Sequence, residues 1–568
     1  MVPMSEFARS IYLSKYSHSI NTNMKEEWPD TARRVAHSVM DGYAPEATHK
    51  VVGYIQDRMF MPGGRYLYSS GRPYPQVNNC FLFRAEDSRE GWADLMHKVT
   101  SALMTGGGVG CVYSGLRHEG AYIRGMGGTS TGPLSLMQMV NEAGRHIMQG
   151  GSRRAAIWAG LHWAHPDVFK YVGMKNWAEV YKREKAKNFL FPAPMDGTNI
   201  SVGLDRDFFA AMADPNWRKV YRHWAGEHVV THEWACKVYW LVVRQMCETA
   251  EPGFSVDMMD PDLHGHLSDL RNACTEVDSH DDSDCCNLGS INMARFSTIE
   301  QFADAIPDLV LFLLCGTLYS KMPTDRMAVV REKNRRIGLG LMGVHEWLLA
   351  RGYRYGDMSE LGKWMTVYET LTRKAADDFA DKFGIARPVA CRSIAPTGTI
   401  SIVAETTSGI EPIYAVAYKR RYLRDGNKSV YQYVIDATAA RIINDKKTDP
   451  ALIEDAYELA EDVERRIKFQ SDMQSYVDQG IASTINIPKW GSSVNNEGTI
   501  KSFGDKLLKY LPTLRGITAY PDECRGGQPL NRVSWKEAVQ RIGEEIEETY
   551  EPSDMAKPDD CKAGICAS

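Results

Sequence analysis

The spacing of apolar positions changes along the chain, and each change marks a different kind of element. In the stretch Trp28 to Met40, Pro29 and Asp30 stand where a helix begins, and Val35, Val39 and Met40 fall on one face. Residues 1–60 are therefore predicted to form a helical segment. From Met61 to about Gly527, Gly-rich turns separate short apolar runs from longer amphipathic ones, the pattern of a mixed α/β body. Trp535, Ala538, Val539, Ile542, Ile546 and Tyr550 then recur at helical spacing, which predicts a last helix packed on that body and carries it over residues 61–550. Residues 551–568 break the pattern, since Glu551 to Asp560 holds two prolines, four acids and almost nothing to bury. That stretch is expected to be a flexible tail. No Ser/Gly linker, charge block or fixed-period repeat divides the chain before it, so one large domain is expected.

With 43% hydrophobic and 24% charged residues in a chain of 568, a large core can form and a disordered chain is excluded. The 67 basic residues do not exceed the 72 acidic ones, which argues against a nucleic-acid polymer as partner and for small molecules. The longest apolar run, Asp308 to Cys315, is shorter than the ~20 residues a bilayer span needs. The N-terminus has no charged stretch followed by an apolar one, so a cytoplasmic protein without membrane partners is expected. Twelve cysteines are too few for a disulfide scaffold. Cys111, Cys236, Cys247, Cys315, Cys391 and Cys524 sit among apolar or mixed neighbours and read as inert thiols. Cys80, Cys274, Cys285, Cys286, Cys561 and Cys566 lie in polar, Gly-rich or Asn-rich contexts.

Cys561 and Cys566 ride at the tip of the tail, close enough to form a disulfide with each other and free to exchange with a buried one. A zinc site would need two further ligands, and no His or other Cys lies nearby, so no metal is expected there. In an extended segment, Asn272, Cys274 and Glu276 would share one face. Asn78-Asn79-Cys80, Glu86-Asp87-Ser88 and Gly106-Gly107-Gly108-Val109-Gly110 precede them. Pro396-Thr397-Gly398-Thr399-Ile400 follows, a turn whose small residues can approach phosphate closely. Gly338 to Gly343 fits G-x-G-x-x-G but follows Lys333-Asn334-Arg335-Arg336 rather than an apolar strand, so a dinucleotide site is not expected.

Taken in order, these segments resemble the catalytic subunit of ribonucleotide reductase from about Met61 to the terminal Cys pair. The resemblance implies a ten-stranded α/β barrel with the active Cys on a loop inside it, in which Gly338 to Gly343 serve close packing. It implies that Cys274 carries a thiyl radical that takes the ribose 3'-hydrogen, that Glu276 is the general base on the 3'-OH and that Asn272 binds the ribose hydroxyls. Cys80 and Cys286 would supply two electrons and become a disulfide, with Cys285 the alternative partner because the Cys is doubled. Cys561 and Cys566 would reduce that disulfide and be restored by a thioredoxin- or glutaredoxin-like protein. Substrate contacts carried over are Met61, Asn79, Cys80, Gly108, the segment Asn272, Ala273, Cys274, Thr275 and Glu276, and Pro396, Thr397, Gly398, Thr399 and Ile400. Met61 stands where many relatives have Thr, and Ala273 and Thr275 where many have Pro and Gly. The substrate would be a ribonucleoside di- or triphosphate. Asp87, Ser88, Arg117 and Arg124 would hold a deoxynucleotide or ATP effector, with Arg153 or Arg154 reading it to the substrate base.

The family divides by radical source. Members with a radical-generating partner protein relay the radical through two adjacent tyrosines near the C-terminus; the matching segment here is Gly516 to Tyr520, and Ala519 cannot be oxidised in that role. A glycyl-radical motif is not found, which leaves adenosylcobalamin as the expected cofactor. Asp262 to Leu267 resembles a cobalamin motif only superficially and reads as a coincidental loop. The short spacing from Cys80 to Gly107 implies an effector site at a homodimer interface, and the early start of the body helices implies no overall control by dATP. The rival readings are a catalytic subunit served by a separate radical protein and, more remotely, a nucleotide-binding regulator without activity.

Overall fold

A computed structural model describes residues 3–20, 24–149, 153–187, 191–222, 224–258, 269–424, 428–446, 449–450, 453–522, 524 and 530–547. The tail with Cys561 and Cys566, and the loop with Asp262 and His264, lie outside the described residues. Ten strands form the main sheet: β1 (Phe60–Pro62), β2 (Cys80–Arg84), β3 (Gly108–Val112), β4 (Ile157–His162), β5 (Thr198–Asp205), β6 (Gly253–Asp257), β7 (Asp284–Asn292), β8 (Ile337–Met342), β9 (Thr484–Ile487) and β10 (Gly516–Pro521). Strands β2 to β6 run parallel in chain order, each reached by a crossover that contains helix, as parallel pairing requires. Strand β7 lies antiparallel to β2 and parallel to β8, and β10 lies antiparallel to β6 and parallel to β9. The short β1 continues the edge of β7 that β2 occupies.

A ten-stranded sheet is therefore present, but its ladders do not close into a barrel. Among the described residues, only single parallel bridges, Leu339 to Arg392 and Ile394 to Ile481, run between the terminal strands β8 and β9. Two apolar cores lie outside the sheet. One packs β1, β7 and β8 against the N-terminal helices and the helix Ile299–Tyr319, the other packs β2 to β6 against their crossover helices. A third, small cluster of Cys80, Leu82, Val112, Trp158, Leu270, Val277, Cys286 and Leu288 lies on the opposite face. Alternation along the strands makes this division: Cys80 and Leu82 join the small cluster while Phe81 and Phe83 join an outer core.

The helix Trp28–Met40 forms where the spacing predicts it and buries Val35, Val39 and Met40. The helix Ile299–Tyr319 is long and apolar enough to cross a membrane by length and composition, but two-thirds (67%) of its most apolar window is buried in the fold. The predicted last helix is shorter than the pattern suggests. It covers Trp535–Arg541 and ends before Gly543, whose φ of 77° belongs to the left-handed region glycine favours. Glu545–Glu547 then pairs with Lys428–Ile435 as a strand, and Val539 and Ile542 are exposed. Gly338 to Met342 lie in β8, not in a phosphate-binding turn. A Cβ at Gly338 would stand 2.3 Å from Leu288 and one at Gly340 2.4 Å from the Ser393 carbonyl, so these glycines serve close packing.

Candidate active site

The segment Asn272 to Glu276 is not extended, as the alternation argument expected. It is the tip of a β-hairpin whose arms are Leu270–Arg271 and Asp278–Ser279. The turn is closed by Thr275 N–H donating to the Asn272 carbonyl (3.1 Å), with Asn272 N–H reaching Val277 O and Val277 N–H reaching Asn272 Oδ1 (2.9 Å). Thr275 takes φ of 65°, a strained value for a β-branched side chain.

The hairpin passes close to the sheet where glycines leave room. A Cβ on Gly110 of β3 would stand 1.7 Å from the Arg271 carbonyl oxygen, and one on Gly480 would stand 2.4 Å from the Thr275 carbonyl oxygen. The buried Arg271 guanidinium donates to the carbonyls of Val256 (2.8 Å) and Leu270 (2.9 Å). Asn199 Nδ2 donates to the Ala273 carbonyl (3.1 Å), and Ser393 Oγ to that of Glu276 (2.7 Å). At the base, Ser279 Oγ donates to Asp284 Oδ2 (2.7 Å), which also accepts from Arg336 Nε (2.8 Å) in a fully buried ion pair.

Asn272, Ala273, Cys274 and Glu276 line one cavity with Asn79, Cys80, Gly108 and the turn Pro396 to Ile400. The cavity has a volume of about 110 Å³ and opens to solvent. Asn272 and Glu276 are buried, while Cys274 is half-buried. Cys80 lies directly opposite Cys286 in the antiparallel register of β2 and β7, and Asn272 Nδ2 donates to Cys80 Sγ (2.8 Å). Cys285 pairs with Phe81 and joins the outer core, whereas Cys286 shares the inner cluster with Cys80. A Cβ at Gly338 would approach Cys286 Sγ to 3.3 Å, so that glycine makes room beside the thiol.

Burial pushes the Cys80 thiol well above its usual range, and the Glu276 carboxylate adds to the shift; burial likewise raises Cys286. Both stay protonated at neutral pH and hold two S–H bonds ready. Because the thiolate is the reactive form, iodoacetamide near neutral pH is expected to leave Cys80 and Cys286 of the reduced, folded protein unmodified while it alkylates them after denaturation. Raising the pH should speed labelling of the folded protein only as it climbs towards the raised values. Peptide mass spectrometry checks this, and labelling of either Cys at the denatured rate near neutrality would contradict it.

Met61 is fully buried in an apolar core, and Thr275 faces Gly516 on the far side of the turn; neither lines the cavity. Thr397 Oγ1 accepts from Gly409 N–H (2.9 Å) and is held by the fold, whereas Thr399 lines the cavity half-exposed. Asp87 and Arg117 form an ion pair (2.9 Å), and Ser88 caps the helix Arg89–Met104. Arg124 is exposed nearby in sequence. Arg153 and Arg154 form a two-residue strand paired with Met148–Gln149, and their side chains lie outside the described residues. Tyr16, Gly63, Gly64, Ala156, Leu288 to Ser290 and Ala395 also line the cavity, and no local motif announced them. Among the described residues no cluster of His, Cys, Asp and Glu could hold a metal ion.

Three cysteines thus gather here, Cys274 and Cys80 on the cavity wall and Cys286 opposite Cys80 in the strand register. The family model for the ribonucleotide reductase barrel domain matches residues 78–378 and 373–508, and the chain belongs to that family. The vitamin B12-dependent ribonucleoside-diphosphate reductase of Mycobacterium tuberculosis strain CDC 1551 is 26% identical over 561 residues, covering 90% of this chain and 78% of the relative. The enzyme of the same name from Thermoplasma acidophilum is 24% identical, covering 89% of this chain and 70% of its own. The ribonucleoside-diphosphate reductase large chain of Cryptosporidium parvum is 26% identical but aligns with only 60% of this chain.

Proposed function

We propose that this chain is an adenosylcobalamin-dependent ribonucleotide reductase that makes 2'-deoxyribonucleotides by thiyl-radical chemistry. The observation that carries the reading is that Cys274 and Cys80 line one cavity while Cys80 stands opposite Cys286 in the register of β2 and β7. The relatives named as vitamin B12-dependent align along nearly the whole chain, and the buried Ala519 offers no redox side chain for a radical delivered by a partner protein.

The residues present fit the cofactor. Its cobalt brings its own ring ligands, so no protein metal cluster is needed. Cys274 is the half-buried thiol, beside a wall of small residues in which a Cβ on Gly108 would only touch Ala156 and Ala273 at 3.6 Å. Gly108, Ala156 and Ala273 would hold the group against that wall, where it supplies a carbon-centred radical able to take the Cys274 hydrogen.

Cys274 then takes the 3'-hydrogen of the ribose, and Glu276 takes the 3'-OH proton, helping the 2'-OH leave as water. Asn272 orients the hydroxyls, its Oδ1 fixed by Val277 N–H. Cys80 and Cys286 give up two protons and two electrons, and an S–S bond forms as the C2'–O bond is lost. The 3'-hydrogen returns from Cys274 to C3', and the proton held by Glu276 returns to O3'.

The cross-strand register favours Cys286 over Cys285 as the partner of Cys80, since cross-strand neighbours have the short Cα separation a disulfide needs. One turnover without external dithiol should leave a Cys80–Cys286 disulfide and a free Cys285 on peptide mapping; a Cys80–Cys285 bond would overturn the assignment. Cys561 and Cys566 would reopen the disulfide and be restored by a thioredoxin- or glutaredoxin-like protein. The ion-paired Asp87 and Arg117, with Ser88 and Arg124, would form an effector site at a homodimer interface, read by Arg153 or Arg154. In this reading the bridges at Arg392 and Ile394 close the ten strands into a barrel. Residues 1–60 are a helical flank, 61–550 the catalytic body and 551–568 the redox tail of a cytoplasmic enzyme.

A further inference from the structure

Tyr16 ends the N-terminal helix Glu6–Lys15 as its C-cap residue and enters the wall of the catalytic cavity. It lies against Gly64, where a Cβ would stand 3.1 Å from Tyr16 Oη and 3.3 Å from its ring. Gly64 does not adopt a left-handed φ, so the glycine provides room for the tyrosine rather than a special turn. The chain on both sides of Tyr16 is tied down. Before it, Ser5 N–H donates to Glu405 Oε1 (3.1 Å), which is ion-paired with the buried Arg58, and the Tyr12 hydroxyl donates to the Glu26 carbonyl (2.8 Å). After it, Ser17 Oγ donates to the same carbonyl and His18 Nε2 meets the Tyr68 carbonyl (2.8 Å each). Glu26 in turn pairs with Arg34, whose guanidinium donates to the carbonyls of Leu67 and Ser70. A tyrosine so fixed contacts a ligand at low entropic cost.

The helix that carries Tyr16 packs on the helix Gly398–Ala404, and Tyr16 lines the same cavity as the turn Pro396 to Ile400. Among the described residues lining the cavity there is no Lys or Arg, so an anionic group there is held by neutral donors, and each hydroxyl counts. Thr397 Oγ1 accepts from Gly409 N–H, which orients its hydroxyl as one such donor. We propose that Tyr16 Oη, which stands over Gly64, donates a hydrogen bond to the phosphate of the substrate. The proposal rests on the ribonucleotide reading of the cavity.

The test compares wild type, Tyr16→Phe and the double variant Tyr16→Phe with Gly64→Ser, in steady-state reduction of a ribonucleotide with adenosylcobalamin and dithiol. Loss of a hydrogen bond to a charged group predicts a KM about tenfold higher in Tyr16→Phe, with kcat within about twofold and an unchanged melting temperature. The inhibition constant of an unphosphorylated ribonucleoside should not move. In the double variant, the serine introduced at position 64 brings a hydroxyl into the space Tyr16 Oη vacated, and KM returns towards wild type. An unchanged KM in Tyr16→Phe overturns the proposal, as does an equal loss for the unphosphorylated ribonucleoside. Failure of the wild type to form product would instead refute the functional reading itself.

Discussion

Cys274→Ala is expected to abolish ribonucleotide reduction, a loss of more than about 10³-fold, while nucleotide affinity stays within about twofold. The expected loss is large because no other group can do this work. Cys80 and Cys286 are buried, opposite each other in the strand register and protonated, whereas Cys274 is half-buried on the cavity wall and is the thiol proposed to receive the radical. Affinity should survive because the turn is held by backbone contacts through Thr275, Val277, Asn199 and Ser393, none of which uses the Cys274 sulfur. Product assays and equilibrium nucleotide binding on the same preparation check both halves. Retention of activity above about one-thousandth of wild type would remove Cys274 from the radical role.

Gly110→Ala should cost more stability than any other single methyl group added to the sheet. Its Cβ would stand 1.7 Å from the Arg271 carbonyl oxygen and 2.9 Å from Asn272 Cα, so either the hairpin or β3 must move by more than an ångström. Overpacking against backbone that cannot rotate away is expected to cost about 3 kcal/mol. A shift of that size at the tip should lower kcat/KM by about 10²-fold. Gly203→Ala is the control, because its nearest contacts would be ordinary ones at 3.7 Å and beyond. Denaturant titration and steady-state kinetics separate the two effects. Equal behaviour of the two variants would show that the hairpin does not depend on the gap at Gly110.

These two sites also show where sequence reasoning reaches and where it stops. The apolar periods placed the helix Trp28–Met40 and the mixed α/β body because those signals are local. Asn272, Cys274 and Glu276 were grouped on one face of an extended segment, yet a hairpin turn brings them to one cavity. That turn depends on gaps at Gly110 and Gly480, each 160 or more residues from the hairpin atoms it admits, and no local spacing encodes them. The doubled cysteine was undecidable for the same reason. Which of Cys285 and Cys286 faces inward depends on the register of β7 with β2, set by pairing across some 200 residues. The last helix failed at Gly543, where apolar periodicity continued but the backbone turned. Tyr16 gave no signal because its meaning lies in the space above Gly64.

The central claim is that this chain reduces ribonucleotides with a radical drawn from adenosylcobalamin. The most direct measurement is deoxynucleotide formation by the purified chain with a ribonucleotide mixture and a dithiol, with and without that cofactor. Product only when adenosylcobalamin is present, with no other protein added, is the predicted result. No product with the cofactor, and activity restored by a metal-containing partner protein, would contradict it and place the radical source outside this chain.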